Sequence, residues 1–290
     1  MISNFNEVHP EINVTVEYLD YTNGDDQINT AIEGGQAPDI VLEGPERLVA
    51  NWGARGLMAD LSDMWTDEAK EAIYDSVESA CQNNDGVFYE YPLCMTAHTM
   101  AINKDIFEKA VKAVYDSGQQ NVGAVYCSGQ GGDQGTRALV NNLYASIAGG
   151  DEINLFCNGT LAMAFPSEDG NPQLCGGIWG FGVFDNGDEA KIEASKTFID
   201  FMANDETQVV ESVKASSYWP VKDLGNIYEG DVLMTEYSTF IPYMGDYYQV
   251  VGGWAEARTA WWNMLQQIGS GADVKEAVEE FVTTANAAAN

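Results

Sequence analysis

The sequence predicts an α/β fold built from two domains. Its 290 residues exceed the usual ~100–200 residues of one domain, and 45% of them are hydrophobic, which is enough to form cores. Apolar and polar residues alternate from Ile12 to Tyr18, a helical pattern begins at Asp25, and Asp39 to Leu42 form a short, mostly apolar run. This strand–helix–strand order predicts a parallel strand pair with a right-handed crossover.

The next elements follow from hydrophobic periodicity and turn residues. The first helix carries Ile28 and Ile32 on one face and ends at Gly34. A single helix is expected from Thr66, a turn at residues 84–86, and an extended segment at residues 88–93. After residue 100, the sequence predicts helices at residues 103–115, 136–147, 254–268 and 273–288, and another that begins at Asn186 or Asp188. It predicts strands at residues 121–127, 161–165 and 179–183.

The charge of the chain excludes two classes of partner. It contains 13 Lys and Arg against 45 Asp and Glu, a formal net charge of −32. Nucleic acids and anionic membranes are negatively charged and repel such a surface. No apolar run of bilayer-spanning length occurs in the sequence.

Cysteine, histidine and glycine patterns argue against several kinds of catalytic or metal site. The five cysteines form no C-x-x-C pair, and the chain has only two histidines, which disfavours zinc sites and Ser-His-Asp triads. The cysteines suit either buried apolar positions or one disulfide with spare thiols. The glycine-rich stretch at residues 129–135 lacks the Lys of a P-loop and the third Gly of a dinucleotide fingerprint.

Aromatic residues favour a neutral polyhydroxyl ligand. The chain contains seven Trp residues, and indole rings stack on the apolar faces of sugars while carboxylates, amides and Arg bind the hydroxyls. Trp65 and Trp261 lie in helical stripes that suit packing. Trp254 follows Gly252 and Gly253 and opens a helix, which makes it a better candidate for stacking.

Charged residues follow the Asp39–Leu42 strand directly. Open parallel sheets bind ligands beyond the carboxyl ends of their strands, so Glu43, Glu46 and Arg47 are the first candidates for ligand contact. Two alternatives remain open. A carboxylate pair would serve a glycosidase, and the adjacent Tyr247 and Tyr248 would serve as phenolate ligands of ferric iron.

Six segments together resemble the sugar-binding, extracellular solute-binding proteins of ABC transporters, the maltose-binding-protein-like family. Each is similar to a family motif, and they occur in the family's order. The segments are residues 5–14 (F…P-x-I-x-V), 35–41 (G-x-A-P-D-I), 56–61 (G-L-L-x-x-L), 85–92 (N-G-K-x-Y-x-x-P), 103–110 (Y-N-K-D-L-F-E-K-A) and 156–163 (F-x-x-G-x-A-A-M).

The resemblance implies a two-lobe, type II periplasmic-binding-protein-like fold with a hinge and a ligand cleft between the lobes. The implied lobes are residues 1–97 with 178–228, and residues 98–177 with 229–290. It also implies that the chain lacks the family's first strand and some internal segments. The implied ligand-binding residues are Glu43, Glu46, Arg47, Tyr91, Thr96, Trp179, Trp254 and Arg258.

The function implied by the resemblance is binding of an extracellular, maltodextrin-like or other neutral oligosaccharide and its delivery to an ABC transporter permease. Neither catalysis, nor a cofactor, nor a metal is expected. The protein is expected to be a monomer in the periplasm or at the cell surface, with a lipid anchor on an absent leader as one option. A glycosidase and a ferric-iron-binding protein of the same fold class remain the alternatives.

Overall fold

A computed structural model of the chain describes residues 1–19, 24–96, 176–245, 247, 250 and 252–288, with Lys109 and Lys112. The described residues belong to two compact units. The first contains Met1–Thr96, Gly177–Ile241 and Asp246–Gly252, and the second contains Pro242–Gly245 and the chain from Gly253 onward. No helix in these described ranges is long and apolar enough to span a bilayer.

The first unit is built on a four-stranded sheet with strand order β1-β3-β2-β4. Its strands are β1 (Ile40–Glu43), β2 (Tyr91–Met95), β3 (Ile178–Val183) and β4 (Trp219–Pro220). β3 runs antiparallel to both β1 and β2, so β1 and β2 point in the same direction on either side of it. The carboxyl ends of β1 and β2 therefore lie at the same edge of the sheet as the start of β3.

Helices of the first unit follow the capping signals in the sequence. Asp188 caps the helix Glu189–Asn204, accepting hydrogen bonds from Ala190 N at 3.1 Å and Lys191 N at 3.2 Å. The α-helices are Ile2–Val8, Gly24–Glu33, Pro45–Arg47, Asp67–Ala72, Asp75–Ala80, Glu189–Asn204, Glu206–Ser216 and Val232–Ser238; Leu48–Gly53 is a π-helix, and Ser62–Met64 is a 3₁₀-helix. A second 3₁₀-helix, Ile241–Tyr243, begins at the last residue of this stretch of the first unit.

Apolar side chains from β1, its flanking helices and the end of β3 form the core beside the candidate site. Trp52 lies at its centre, with its ring centroid 5.4 Å from that of Phe184. The buried members are Ile28, Val41, Leu48, Val49, Trp52, Met58 and Phe184. Burial of this group fixes the start of the segment that follows β1, because Leu48 and Val49 come directly after Arg47.

The predicted strand at Ile12–Tyr18 and its parallel pairing are wrong. These residues form no strand, and Val16 and Tyr18 are 47% and 93% exposed. Alternation defines a face, but a strand also needs a neighbour to hydrogen-bond with, and among the described residues β1 pairs only with β3, antiparallel. The first helix, Gly24–Glu33, and the strand β1 agree with the sequence.

The single helix predicted from Thr66 is wrong, because two short helices replace it. Thr66 does cap the first of these, accepting a hydrogen bond from Ala69 N at 3.2 Å. Ile73 then leaves the helical conformation, with ψ at 141°, and forms a β-bridge to Lys222. Tyr74 N also donates to the Val221 carbonyl at 3.1 Å. Pairing with this distant segment interrupts the helical pattern.

Later predictions in the first unit are confirmed. The turn at residues 84–86 forms, with Gly86 at φ 79°, a conformation that suits glycine. The extended segment at residues 88–93 leads into β2, and the strand expected at residues 179–183 is β3.

The first unit extends beyond residue 228, where the family resemblance placed the end of the first lobe. A hydrogen bond connects the helix Val232–Ser238 to this unit, because Trp219 Nε1 donates to Ser238 Oγ at 2.9 Å.

The second unit contributes a hairpin of two described helices, Trp254–Gly269 and Val274–Ala288, as the sequence predicts. Trp261 packs edge-on against Phe281, with ring centroids 5.4 Å apart. Of the helix expected at residues 103–115 only Lys109 and Lys112 are described, and both are helical. The elements expected at residues 121–127, 136–147 and 161–165, and the glycine-rich stretch at residues 129–135, lie outside the described residues.

Candidate ligand-binding site

The carboxyl end of β1 holds an arginine between two glutamates. Glu43 ends the strand, and Gly44 and Pro45 turn the chain into the short helix that carries Glu46 and Arg47. Arg47 Nε lies 3.4 Å from Glu43 Oε1, and Arg47 Nη1 lies 3.1 Å from Glu46 Oε1. All three side chains are partly exposed, between 19% and 26%. The structure thus brings these three predicted site residues together.

Tyr247 reaches the same group from a distant part of the chain. Its hydroxyl donates a hydrogen bond to Glu46 Oε2 at 2.6 Å, and its side chain is buried. The sequence suggested Tyr247 as a phenolate ligand of iron, but this hydrogen bond uses the phenol as a neutral donor. In the described part of the chain no three His, Cys, Asp or Glu side chains are grouped to hold a metal ion.

Glu90 lies behind this group, inside the unit. Its side chain is fully buried, and neither carboxyl oxygen has a hydrogen-bond partner in the part of the chain that the structure describes. Burial raises the pKa of Glu90 well above the usual value for a carboxyl group, and the nearby charges of Glu46 and Glu43 raise it further. Sequence reasoning missed this residue, since a glutamate in an acidic chain gives no sign that it will be buried.

Thr96 and Trp179 lie at the same edge of the sheet. Thr96 Oγ1 accepts a hydrogen bond from Gly177 N at 3.0 Å, and Thr96 N donates to the Gly177 carbonyl at 2.8 Å. Trp179, at the start of β3, stacks on Tyr218 with 4.8 Å between ring centroids and 5° between ring planes. Both residues are partly buried. Since Gly180 pairs with Glu43, Trp179 comes one residue beyond the end of β1.

Tyr91 belongs to the core and not to this edge. It is 1% exposed, and its hydroxyl donates to Asn204 Oδ1 at 2.9 Å. Its ring centroid lies 5.4 Å from that of Trp65, which is also buried, as the sequence suggested for Trp65. A direct contact between Tyr91 and a ligand would require breaking this packing.

Two buried cysteines flank Glu90 without forming a disulfide. Cys81 and Cys94 are both free thiols. Burial raises the pKa of Cys94 to about 12 and that of Cys81 well above its usual value, and the carboxyl of Glu90 adds to both shifts. Both side chains are therefore neutral and unreactive at physiological pH, which agrees with the apolar role that the sequence allows for cysteines.

Trp254 and Arg258 occupy the first turns of the helix Trp254–Gly269 in the second unit. Gly253 precedes them at φ 73°, a left-handed conformation in which a side chain would be strained. The guanidinium of Arg258 lies 4.8 Å from the centroid of the Trp262 ring, one turn further along. This cation–π contact orients the arginine along the helix.

Several solved structures share the fold of this chain. A solute-binding protein of an ABC transporter from Thermotoga lettingae, bound to α-D-tagatose, has a TM-score of 0.72 and 14% identity over 100% of this chain and 94% of that chain. UgpB from Mycobacterium tuberculosis, in complex with glycerophosphocholine, has a TM-score of 0.68 and 18% identity over 99% and 93%. The maltose/maltodextrin-binding domain MalE from Bdellovibrio bacteriovorus, bound to maltotriose, has a TM-score of 0.63 and 13% identity over 98% and 94%.

At these identities the likeness establishes the fold, which is the α/β type II fold of periplasmic binding proteins. No curated protein sequence matches the chain. The model of one protein family, described as bacterial extracellular solute-binding protein, matches residues 1–209 of the 290. The chain therefore belongs to the family of bacterial extracellular solute-binding proteins.

Proposed function

We propose that this protein binds a neutral oligosaccharide outside the cytoplasm and delivers it to the membrane permease of an ABC transporter. The observation that carries the proposal is the polar group Glu43–Arg47–Glu46 at the sheet edge where Thr96 and Trp179 also lie. The family supports solute binding as the general role. A maltodextrin is the first ligand to test, because the MalE domain, a structural neighbour, was solved with maltotriose.

The chemistry of the group suits a sugar. Carboxylate oxygens of Glu43 and Glu46 accept hydrogen bonds from hydroxyl groups, and the guanidinium of Arg47 donates them in a fixed, planar arrangement. Arg47 is already held by both carboxylates, so little side-chain freedom is lost when a ligand binds. Aromatic surface to cover the apolar face of a sugar ring would come from Trp179 and Trp254.

The proposed contacts divide between the two units. Glu43, Glu46, Arg47, Thr96 and Trp179 belong to the first unit, and Trp254 and Arg258 belong to the second. We propose that the two units are the two lobes of the family fold. Tyr91 has a supporting role in this proposal, since its ring packs behind the edge.

Isothermal titration calorimetry against maltotriose, longer maltodextrins, chitin oligosaccharides, D-tagatose and glycerophosphocholine tests the proposal. Binding of one oligosaccharide series, with affinity that depends on chain length, is expected. Binding of glycerophosphocholine alone would contradict the choice of a sugar. Release of smaller sugars during incubation would instead favour the glycosidase alternative.

Replacing Trp254 with alanine tests the contribution of the second unit. Trp254→Ala is expected to weaken oligosaccharide binding by roughly 1–3 kcal/mol, the value of a lost buried apolar contact, with little change in the urea midpoint of unfolding. Trp261→Ala is the matched control, because Trp261 packs against Phe281 within the helix hairpin. It is expected to lower the midpoint and leave the affinity unchanged. If Trp254→Ala lowers the midpoint and does not affect binding, Trp254 is a packing residue.

A further inference from the structure

Glu90 places a carboxyl group in the interior of the first unit. Its side chain is 0% exposed, and within the described residues neither Oε1 nor Oε2 has a hydrogen-bond partner. Its backbone is held in place, because Trp65 Nε1 donates to the Glu90 carbonyl at 3.1 Å. Trp65 itself stacks on Phe88 with ring centroids 4.4 Å apart, so aromatic packing positions the residue.

The carboxyl group fits only because residue 180 is glycine. A Cβ atom at Gly180 would lie 2.6 Å from Glu90 Oε1 and 2.6 Å from the Tyr91 carbonyl oxygen. Gly180 is also the β3 residue that pairs with Glu43 at the end of β1. The Glu90 carboxyl therefore packs on β3 at the register position where the proposed ligand-binding edge begins.

Within the described residues, the charged and titratable groups that interact with Glu90 come from four places. Glu43 at the end of β1 and Glu46 in the short helix after it act on Glu90 electrostatically, and Arg47 lies between these two carboxylates. Cys81, after the helix Asp75–Ala80, and Cys94 in β2 are buried thiols whose pKa values an ionised Glu90 would raise. The single positive charge of Arg47 is thus already shared by two glutamates.

Ionisation of Glu90 would raise the free energy of the folded state. An unpaired carboxylate loses its hydration on burial and gains nothing in return, and here it would also repel Glu43 and Glu46. A neutral carboxylic acid avoids both costs. Burial, followed by the charges of Glu46 and Glu43, accordingly raises the pKa of Glu90 well above its usual value.

We propose that Glu90 is a proton-binding residue that makes the stability of the sheet edge carrying Glu43 and Glu46 depend on pH. With a proton bound, Glu90 leaves Arg47 to hold the two edge carboxylates. When the proton leaves, Glu90 becomes a third carboxylate that repels Glu43 and Glu46 from the interior, and this edge of the sheet becomes less stable. The consequence for ligand affinity rests on the function proposed above, whereas the consequence for stability does not.

The direction of the pH effect follows from linkage. The folded chain retains the Glu90 proton at pH values where the unfolded chain has lost it, so between these two pKa values the folded state binds more protons. The free energy of unfolding therefore falls as pH rises from about 4.3, the value for a free Glu, towards the raised pKa of the folded state. Above the raised pKa the loss is complete.

Urea unfolding of the wild type, Glu90→Gln and Glu71→Gln between pH 5 and pH 9 tests the proposal. Glu71 is an exposed glutamate in the helix Asp67–Ala72, so its variant removes one carboxyl without touching the interior. The unfolding equilibrium constant of the wild type is expected to rise relative to that of Glu90→Gln by up to about tenfold per pH unit. The wild type and Glu71→Gln should run nearly parallel. Parallel curves for the wild type and Glu90→Gln would overturn the proposal.

Two further measurements keep the test decisive if Glu90→Gln does not fold. Glu90→Leu removes the carboxyl with an apolar side chain, and it should abolish the same part of the pH dependence. In the wild type, ¹³C NMR of the glutamate carboxyl groups should show one that titrates well above the others. If every glutamate carboxyl titrates near its ordinary value, Glu90 is not a proton-binding residue.

A double-mutant cycle tests the connection to the edge. In a Glu46→Gln background, the rise in the unfolding constant that Glu90 causes between pH 5 and pH 9 should be smaller, because one repelling carboxylate is gone. An equal effect in both backgrounds would show that the two groups do not interact. Oligosaccharide affinity is measured separately at pH 6 and pH 8: failure to bind any sugar would refute the proposed function, and the stability result would stand on its own.

Discussion

Glu46 accepts hydrogen bonds from two residues that approach it from different directions. Arg47, its neighbour in the chain, donates to Oε1 at 3.1 Å, and Tyr247 donates to Oε2 at 2.6 Å. Both bonds involve an ionised acceptor, which makes them stronger than hydrogen bonds between neutral groups. Glu46 is consequently held from two directions. The sequence gives the contact with Arg47 through proximity, but it gives no indication of Tyr247, because 201 positions separate the two residues.

Replacing Tyr247 with phenylalanine measures this hydrogen bond. Tyr247→Phe keeps the buried ring and leaves Glu46 Oε2 without its donor, so the free energy of unfolding is expected to fall by about 1–3 kcal/mol. Tyr18→Phe is the control, because Tyr18 is 93% exposed and its hydroxyl is solvated. Urea unfolding of both variants at pH 7 gives the comparison. A loss in Tyr247→Phe no larger than that in Tyr18→Phe would mean that Glu46 is held by Arg47 alone.

At the scale of elements, β3 lies between the two strands whose carboxyl ends carry most of the candidate site. It lies between β1 and β2, and two of its residues are glycines that face close neighbours. A Cβ atom at Gly180 would meet the backbone oxygen of Tyr91 and the confined carboxyl of Glu90, both at 2.6 Å. A Cβ atom at Gly182 would meet the flexible end of Met58 at 2.5 Å and that of Leu48 at 2.7 Å.

These two glycines should respond differently to the same substitution. Gly180→Ala is expected to lower the free energy of unfolding by about 1–3 kcal/mol, the usual cost of overpacking, because backbone cannot move aside. Gly182→Ala should cost less, since the ends of Met58 and Leu48 can change rotamer. Thermal and urea unfolding of the two variants provide the measurement. Equal losses would indicate that the spacing between β2 and β3 adjusts easily.

Local patterns in the sequence predict the elements of this fold better than they predict the pairing between them. The helix start at Asn186 or Asp188, the turn around Gly86 and the two C-terminal helices are encoded by neighbouring residues, and the structure confirms them, with Asp188 as the N-cap. The antiparallel pairing of β1 with β3 joins residues 40–43 to residues 180–183, and no local pattern encodes it. The same limit explains the break at Ile73, which a bridge to Lys222 imposes.

The same distinction between local patterns and distant contacts applies to the candidate site. The grouping of Glu43, Glu46 and Arg47 was predictable, because the three residues lie close together in the sequence at the end of a strand. The parallel pairing from which ligand contact was inferred does not form, so their contact with a ligand stays a prediction. Glu90 was not predictable, since its burial depends on Gly180 in a strand about 90 positions away. Trp179 lies between these cases. The family resemblance implied it as a ligand-binding residue, but its stacking on Tyr218 depends on a contact between separate elements.

At the scale of the whole molecule, the excess of acidic residues dominates the electrostatics. A formal net charge of −32 on 290 residues means that most surface carboxylates repel one another, and this repulsion opposes the compact state. The few positive charges are used locally, as in the pairs Lys191–Asp39 and Lys196–Asp63. Such exposed pairs contribute little stability on their own.

Salt should therefore act on stability and on ligand binding in different ways. Raising the ionic strength from about 0.01 M to 0.15 M shortens the Debye length from ~30 Å to ~8 Å, which screens repulsion between distant carboxylates. The free energy of unfolding is expected to rise over this range, as measured by urea denaturation. Affinity for a neutral oligosaccharide should stay nearly constant in calorimetric titrations over the same range, because an uncharged ligand gains nothing from the field of the protein. A steep change in affinity with salt would mean that the ligand is charged. A positively charged ligand would bind more weakly as salt increases, because salt screens its attraction to the acidic protein.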